Sequence, residues 1–471
     1  MKKLFHVFII CFLIFDIAFS FVQHYNTGLD GDMTGGIVPE QNVSKILKDP
    51  LGLNVLINDS SYANPNRYFA HYVFYKYYRI VPHFLQNFTT PINSVYLANA
   101  IIKTLIQLCY IIMLAKFCNP NISIFNKKNL LSMAIITPLF QTNGYRSYIG
   151  IIDPSPTYTF FYALPLLVLL FFVFIIYYKI INNRKLTPFQ ICILIILLFY
   201  IPLSGPLLPG IQLVLSIVTF GFLLFNKQVN YYYKNILNVS LKHQLNLIII
   251  FINLLCIYSL YIGQNNVIFS SNQISIIDRY LDLPIGLYNI ITQKLSISLL
   301  IGNILISYLF LANNKILKQK LTLLLISILS FSVIYILLLP LGGYKDYRPY
   351  IIRYDTFMPI SLLLFIAYLF SSLSIINFDG ISKKHIYISI LLCISFIFIN
   401  SDKIDFNKNQ CEKETLSFIS NSKKDTVFLN NNCNVLGWAN QPILNNELNS
   451  KLLKIWNITS TKKTIIYCNA N

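Results

Sequence analysis

The stretch with the most chemistry per residue is His24-Tyr25-Asn26-Thr27-Gly28-Leu29-Asp30-Gly31-Asp32-Met33, just after the first apolar run. Two carboxylates two residues apart on a glycine-flanked turn can bind a divalent cation or share a proton. Either one, Asp30 or Asp32, can act as a general base if its pKa is tuned upward. The same pattern also describes an ordinary solvated Asp/Gly turn. Position favours chemistry, because a membrane helix ending near Gln23 would hold this turn at the bilayer surface, where a lipid-linked headgroup sits.

A second stretch runs from Gly342 to Pro359 and carries Lys345, Arg348 and Arg353 among Tyr344, Tyr347, Tyr350 and Tyr354. Cations and tyrosines at this density suit a phosphate or pyrophosphate: arginine offers a bidentate fork and tyrosine a hydroxyl donor. Anchoring of two helix ends in the headgroup zone is the alternative. Arg353 is the first candidate, with Arg348, Tyr354 and Lys345 beside it. Two further loops hold Arg146 with Asp153, and Asp278-Arg279 with Asp282. Each set could line the same cavity or form a local ion pair worth little. Lys103 and Asp16 lie inside apolar runs, where ionisable side chains are costly and face a cavity or a partner. Lys103 can reach the same site or snorkel, and Asp16 reads as a buried structural residue. His24, His71 and His83 sit near the interface, with His24 a further candidate for the cavity wall. The nine cysteines include no Cys-x-x-Cys spacing and have no histidine at ligand spacing. Zinc is therefore not expected, and a divalent cation, if one is used, falls to Asp30 and Asp32.

Positioning these residues is the work of the apolar runs. The chain has 471 residues, 55% of them hydrophobic and only 12% charged, with a mean hydropathy of +0.58. A soluble domain carries about 25% charged residues. Apolar runs near twenty residues recur, the length that crosses a hydrocarbon core of about 30 Å, and only helices satisfy their own backbone there. An all-α polytopic membrane protein follows, with about eleven spans: the run to Gln23, then 95–117, 129–142, 158–180, 188–204, 207–225, 245–262, 296–313, 321–340, 356–376 and 385–400. The N-terminal run resembles a signal peptide, but its length and the lack of a small-x-small site favour a retained first helix.

The formal net charge of +19 would suggest nucleic acid in a soluble protein. Here the lysines cluster between spans, and no nucleic-acid partner is expected. With the N-terminus inside, the inner segments hold sixteen lysines and arginines against six in the short outer loops, the direction the positive-inside rule requires. The acids fall almost wholly on the outer side, which no topology rule demands. This predicts a working outer face and an extracytoplasmic C-terminus.

Residues 24–94 form a long first outer loop. Its aromatic and basic segment 66–79, bracketed by Pro65 and Pro82, predicts a helix lying in the interface. Residues 1–400 read as the transmembrane unit and 401–471 as a small α/β outer domain. In that tail Cys411, Cys433 and Cys468 can form one disulfide with one thiol left over, the pairing open.

Paired acids opening the first outer loop, interface helices within it, and Arg353-Tyr354 with Pro359 entering a late helix together resemble the C-type glycosyltransferase superfamily. That resemblance implies an enzyme using a polyprenyl-phosphate sugar. Asp30 or Asp32 would act as base or bind the acceptor, and Arg353 would contact the donor phosphate. It also implies a multi-pass protein of a bacterial inner membrane whose partners are a lipid-linked sugar donor, membrane lipids and a glycan, lipid or protein acceptor. Asp-Gly-Asp stands where better-known branches have adjacent acids. A polysaccharide polymerase or ligase, and a transporter or flippase of lipid-linked glycans, are the rival expectations.

Overall fold

The computed structural model describes residues 2–39, 41–141, 150–267, 274–292, 295–342, 350–378, 384–401, 405–429, 433, 435–437 and 446–467. The protein is an all-α polytopic membrane protein, 76% helical with almost no strand. Among the described residues, seven helices are long and apolar enough to cross a bilayer. They are Leu4–Tyr25, Pro91–Cys118, Pro156–Asn182, Leu207–Phe225, Val239–Gly263, Lys315–Leu341 and Tyr354–Ile376. Ile276–Thr292 and Ser296–Phe310 would add an eighth crossing if they form one broken span.

Three of the eleven expected spans fall on shorter helices: Lys127–Ile136, Pro188–Tyr200 and Lys384–Ile399. Local chemistry sets their ends. Thr187 and Gln190 close a capping box with Pro188 in the first turn, a strong start signal. Pro202 and Gly205, whose φ is +130°, turn the chain; that φ favours glycine. Lys127 stacks over the Phe5 ring, with Nζ 4.9 Å from its centroid. Ten residues on, the Thr137 hydroxyl donates to Asp16, and Gln141 Nε2 donates to Ser20 Oγ at 2.8 Å. This short helix therefore runs parallel to the first one.

The bundle buries one large apolar cluster. A second cluster joins the first loop to the tail over the ends of two long helices: Leu29, Met33, Ile37, Phe74 and Tyr78 pack with Tyr96, Phe160, Leu416, Ile419, Val427, Leu452 and Trp456. The tail is a helix (Gln410–Asn421), a strand (Thr426–Leu429), a helix (Asn446–Ile455) and a strand (Thr464–Tyr467). The strands pair in parallel, Thr426 opposite Thr464, as a strand–helix–strand crossover requires. Cys411 is bonded to Cys433; Cys468 lies outside the described residues.

The aromatic helix after Asn66 differs from the expected one. It spans Tyr68–Leu85 and carries Pro82 inside rather than ending before it. Proline lacks the N–H that would bond the carbonyl four residues back. Here the Tyr78 carbonyl, which Pro82 leaves unpaired, accepts from the indole Nε1 of Trp456 at 2.9 Å. A tail residue thus repairs the helix, and Gln86 Nε2 returns the contact to the Trp456 carbonyl at 2.8 Å.

Candidate functional site

Asp30 sits where the first helix ends and a short helix, Asp32–Ile37, begins. Its side chain is buried and collects five donors. Oδ1 accepts from the amides of Asp32 (2.9 Å) and Met33 (3.1 Å) and from the Thr157 hydroxyl (2.7 Å). Oδ2 accepts from the Ser155 hydroxyl (2.6 Å) and the Thr157 amide (2.9 Å). Asp30 therefore ties the loop after the first helix to the start of the Pro156–Asn182 helix. Both of its oxygens are engaged, which leaves no open chelating pair with Asp32 for a divalent cation. Among the described residues no group of three or more His, Cys, Asp or Glu side chains is arranged to hold a metal ion. Asp32 is exposed, two residues after Asp30 and the first residue of the short helix.

Asp153 lies on the far side of the Ser155 clasp. It is buried, and Oδ1 accepts the Ser155 amide at 2.7 Å. Burial pushes its carboxyl up to about 8; the Ser155 amide and the Lys103 charge oppose the shift, while Asp30 and Asp355 add to it. Lys103 has no exposed surface and donates to the Pro154 carbonyl and, at 3.3 Å, to the Thr27 hydroxyl. It is buried in the site rather than snorkelling. His24 is buried against Gln107 at 3.1 Å. Gln107 in turn donates to Ser20 at 2.8 Å.

Arg353 precedes the Tyr354–Ile376 helix and forms an ion pair with Asp355. Asp355 is almost fully buried, and Tyr354, partly exposed, is the first residue of the helix. Beside Asp355 lies a small pocket with a cavity volume of about 20 Å³. Its walls are Arg67, Ser204 and Asp355 at the polar end, with Leu166, Ile211 and Met358 below. The Arg67 guanidinium stacks over Phe161 and Tyr162, 5.3 and 5.9 Å from their centroids. Next to it His71 is buried, with both ring nitrogens unpartnered. Burial first, then the Arg67 charge, pushes its pKa down to about 3, so the ring is neutral.

No protein family, curated protein or solved structure matches the chain. The chemistry must therefore be read from these side chains alone.

Two further acids belong to the same neighbourhood. Asp355 fell within the sequence stretch but was not singled out. Glu412 comes from the tail, is buried, and accepts the Leu29 amide at 3.0 Å. A Cβ on Gly28 would stand 3.3 Å from its Oε2, so the turn packs directly on this carboxyl. Burial raises Glu412 to about 7, countered by the Leu29 amide and increased by the Asp30 charge. No local signal in the sequence marked Glu412. The acid stands near the start of a tail helix, 383 positions from the amide it holds.

Other expected residues lie apart. Asp278 is exposed; Ser275 caps its short helix by accepting the Asp278 amide at 3.1 Å, and the Ser275 hydroxyl donates to the Asp278 carboxylate at 2.7 Å. Arg279 donates to the carbonyls of Pro340 and Gly342 at 3.2 and 3.1 Å, which fastens that helix to the end of Lys315–Leu341. Arg146, Lys345 and Arg348 lie outside the described residues. What the structure brings together is four buried carboxyls (Asp30, Asp153, Asp355, Glu412) with Lys103 and Arg353, next to an exposed acid. Such a cluster can hold a loop rigid, keep one carboxyl protonated near neutral pH, and stabilise developing negative charge.

Proposed function

We propose that this protein is a membrane glycosyltransferase resembling the C-type superfamily. It would transfer a sugar from a polyprenyl-phosphate donor to a glycan, lipid or protein acceptor on the outer face of a bacterial inner membrane. The N-terminus would be cytoplasmic and the C-terminus extracytoplasmic. The observation that carries this reading is the gathering of four buried carboxyls, Lys103 and Arg353 at one end of the bundle, around exposed Asp32. In the proposed step Asp32 takes the acceptor hydroxyl proton as the acceptor oxygen bonds to the anomeric carbon. The bond from that carbon to the phosphate oxygen breaks, and the departing lipid phosphate is stabilised by cations, Arg353 among them. Asp32 is preferred to Asp30 because Asp30 already holds five donors.

Eleven crossings belong to the same proposal. The parallel contacts of Lys127–Ile136 with the first helix support one of the short crossings. A second is supported by Pro188–Tyr200: the Leu186 amide just before its start donates to Gln244 Oε1 at 2.9 Å, and the Tyr200 ring at its end packs on Phe69, 5.0 Å between centroids. Lys384–Ile399 is supported by Ser401, just beyond it, which donates to the Gln141 carbonyl at 3.2 Å.

Membranes carrying the protein, supplied with labelled polyprenyl-phosphate sugars, test the assignment. Asp32→Asn should lower transfer by about a hundredfold or more, while Asp278→Asn should leave it unchanged. Full transfer by Asp32→Asn would remove the proposed base. A flippase reading is favoured by one observation, the hydrogen-bonded string His24–Gln107–Ser20–Gln141 that descends beside Asp16. Movement of a lipid-linked glycan across reconstituted vesicles without sugar transfer would support it instead.

A further inference from the structure

The end of the bundle away from the carboxyl cluster carries a surface of the opposite charge. The Pro156–Asn182 helix starts at the Asp30 clasp, and its 27 residues put its far end about 40 Å away. Between Asp153 and Asp278 the sequence has no aspartate or glutamate. Within that acid-free stretch, the turn between Leu207–Phe225 and Val239–Gly263 is itself helical, over Lys227–Tyr231 and Tyr232–Ile236. Asn226 caps it by accepting the amides of Gln228 and Val229 at 3.0 and 3.1 Å. Polar contacts fasten it to the end of Pro156–Asn182 and the turn that follows. The Tyr232 hydroxyl donates to the Ile180 carbonyl at 2.9 Å, Asn183 Nδ2 to the Ile236 carbonyl at 3.0 Å, and the Asn238 amide to Asn183 Oδ1 at 2.7 Å. The two turns therefore form one fixed surface, on which Arg184, Lys185, Lys227 and Lys234 are all exposed. Apolar side chains flank these cations: Phe225, Tyr231 and Val239 are 86%, 61% and 64% exposed.

The positive-inside rule asks for cations at such turns. It does not ask for a hydrogen-bonded platform, nor for bared rings and a valine beside them. Four cations with no acid in the same stretch attract an anion, and apolar side chains at the ends of two membrane helices select one that sits in the bilayer. We propose that this surface binds an anionic phospholipid of the surrounding leaflet. Its phosphate meets Arg184, Lys185, Lys227 and Lys234, and its acyl chains lie against Phe225 and Val239. The claim goes beyond the transfer reaction and stands whether or not a sugar is transferred.

The purified full chain in detergent micelles, with radiolabelled phosphatidylglycerol as the probe, provides the test. Wild type should retain the lipid saturably. Arg184→Gln, Lys185→Gln, Lys227→Gln and Lys234→Gln combined should bind about tenfold or more weakly. Lys127→Gln, Lys128→Gln, Lys315→Gln and Lys320→Gln combined remove the same charge from other exposed turns and should bind as wild type does. Unlabelled phosphatidylglycerol should compete, whereas phosphatidylcholine and inorganic pyrophosphate should not. Equal binding by the first variant overturns the proposal. So does equal weakening by the second, which would make the attraction one of net charge alone. Competition by phosphatidylcholine would make the surface merely apolar, and competition by pyrophosphate would make it a site for soluble anions; either overturns the claim. If the first variant does not elute as the folded chain, Lys227→Gln with Lys234→Gln decides. Binding weakened about threefold or more supports the site, and unchanged binding overturns it.

Discussion

Asp30 and Arg67 belong to the same segment between the first two membrane helices, yet the fold treats their charges in opposite ways. Asp30 is enclosed by five donors from two segments. Arg67 stacks on two rings and leaves a buried donor unpaired. A charge with every lone pair engaged holds structure together, because removing it strands several buried donors. A charge with an unmet hydrogen bond costs stability unless something arrives to meet it. The contrast divides the loop into an anchored half, clamped by Asp30 and Glu412, and a half around Arg67 in which a buried donor is unmet.

The largest expected effect comes from breaking the anchor. Asp30→Ala should destabilise the protein by about 3 kcal/mol or more, seen as a lower unfolding temperature in detergent or as loss of folded material. A stability equal to wild type would mean that the clasp is ornamental and would return Asp30 to the list of available bases.

Glu412 gives a smaller effect with a distinct signature. Its carboxyl is raised from an ordinary 4.5 to about 7 in the folded chain. Below pH 4.5 both folded and unfolded chains carry it protonated, and its full contribution is present. Between about 4.5 and about 7 the unfolded chain ionises first, so stability falls as pH rises and this contribution is gone above 7. The change is on the order of 3 kcal/mol. Asp153 adds a slope of the same sign, from 3.8 to about 8. Glu412→Gln should therefore flatten, without abolishing, the decline in unfolding temperature from pH 5 to pH 8. Identical slopes in wild type and variant would contradict the buried protonated state. At the small end, Arg67→Gln should change stability by only about 0.5 kcal/mol, seen as a nearly unchanged unfolding temperature.

Much of the frame was legible from the chain alone. The long apolar runs, the Gly205-Pro206 turn and the aromatic helix after Asn66 each carry a local period or punctuation that physics ties to one conformation. The tail strands at Thr426–Leu429 and Thr464–Tyr467 were legible from alternation for the same reason. The shorter helices were legible as apolar runs, but capping residues and prolines trim them below the length of an ordinary span. The site was legible only in part. Asp30, Asp153, Lys103 and Arg353 could be nominated by residue type and position, yet nothing local distinguishes an enclosed aspartate from an available one. Asp32 and Asp30 look alike in sequence; the donors that separate them come from Ser155 and Thr157. Docking of the tail was hidden altogether. Glu412 on Leu29, Asn449 on Thr34 and Trp456 on Tyr78 join positions 378 to 415 residues apart. Pro82 looked like a helix stop because its repair, the Trp456 indole, lies in that distant tail.

The central claim is that the carboxyl cluster faces the non-cytoplasmic side, opposite the lysine-rich turns. Single cysteines at exposed Asn58 in the first loop, Lys424 in the tail and Lys185 between helices can be challenged in intact cells with a membrane-impermeant maleimide. Asn58→Cys and Lys424→Cys should be labelled directly, and Lys185→Cys only after the membrane is opened. Labelling of Lys185→Cys in intact cells, with Asn58→Cys protected, would put the cluster in the cytosol and contradict the account.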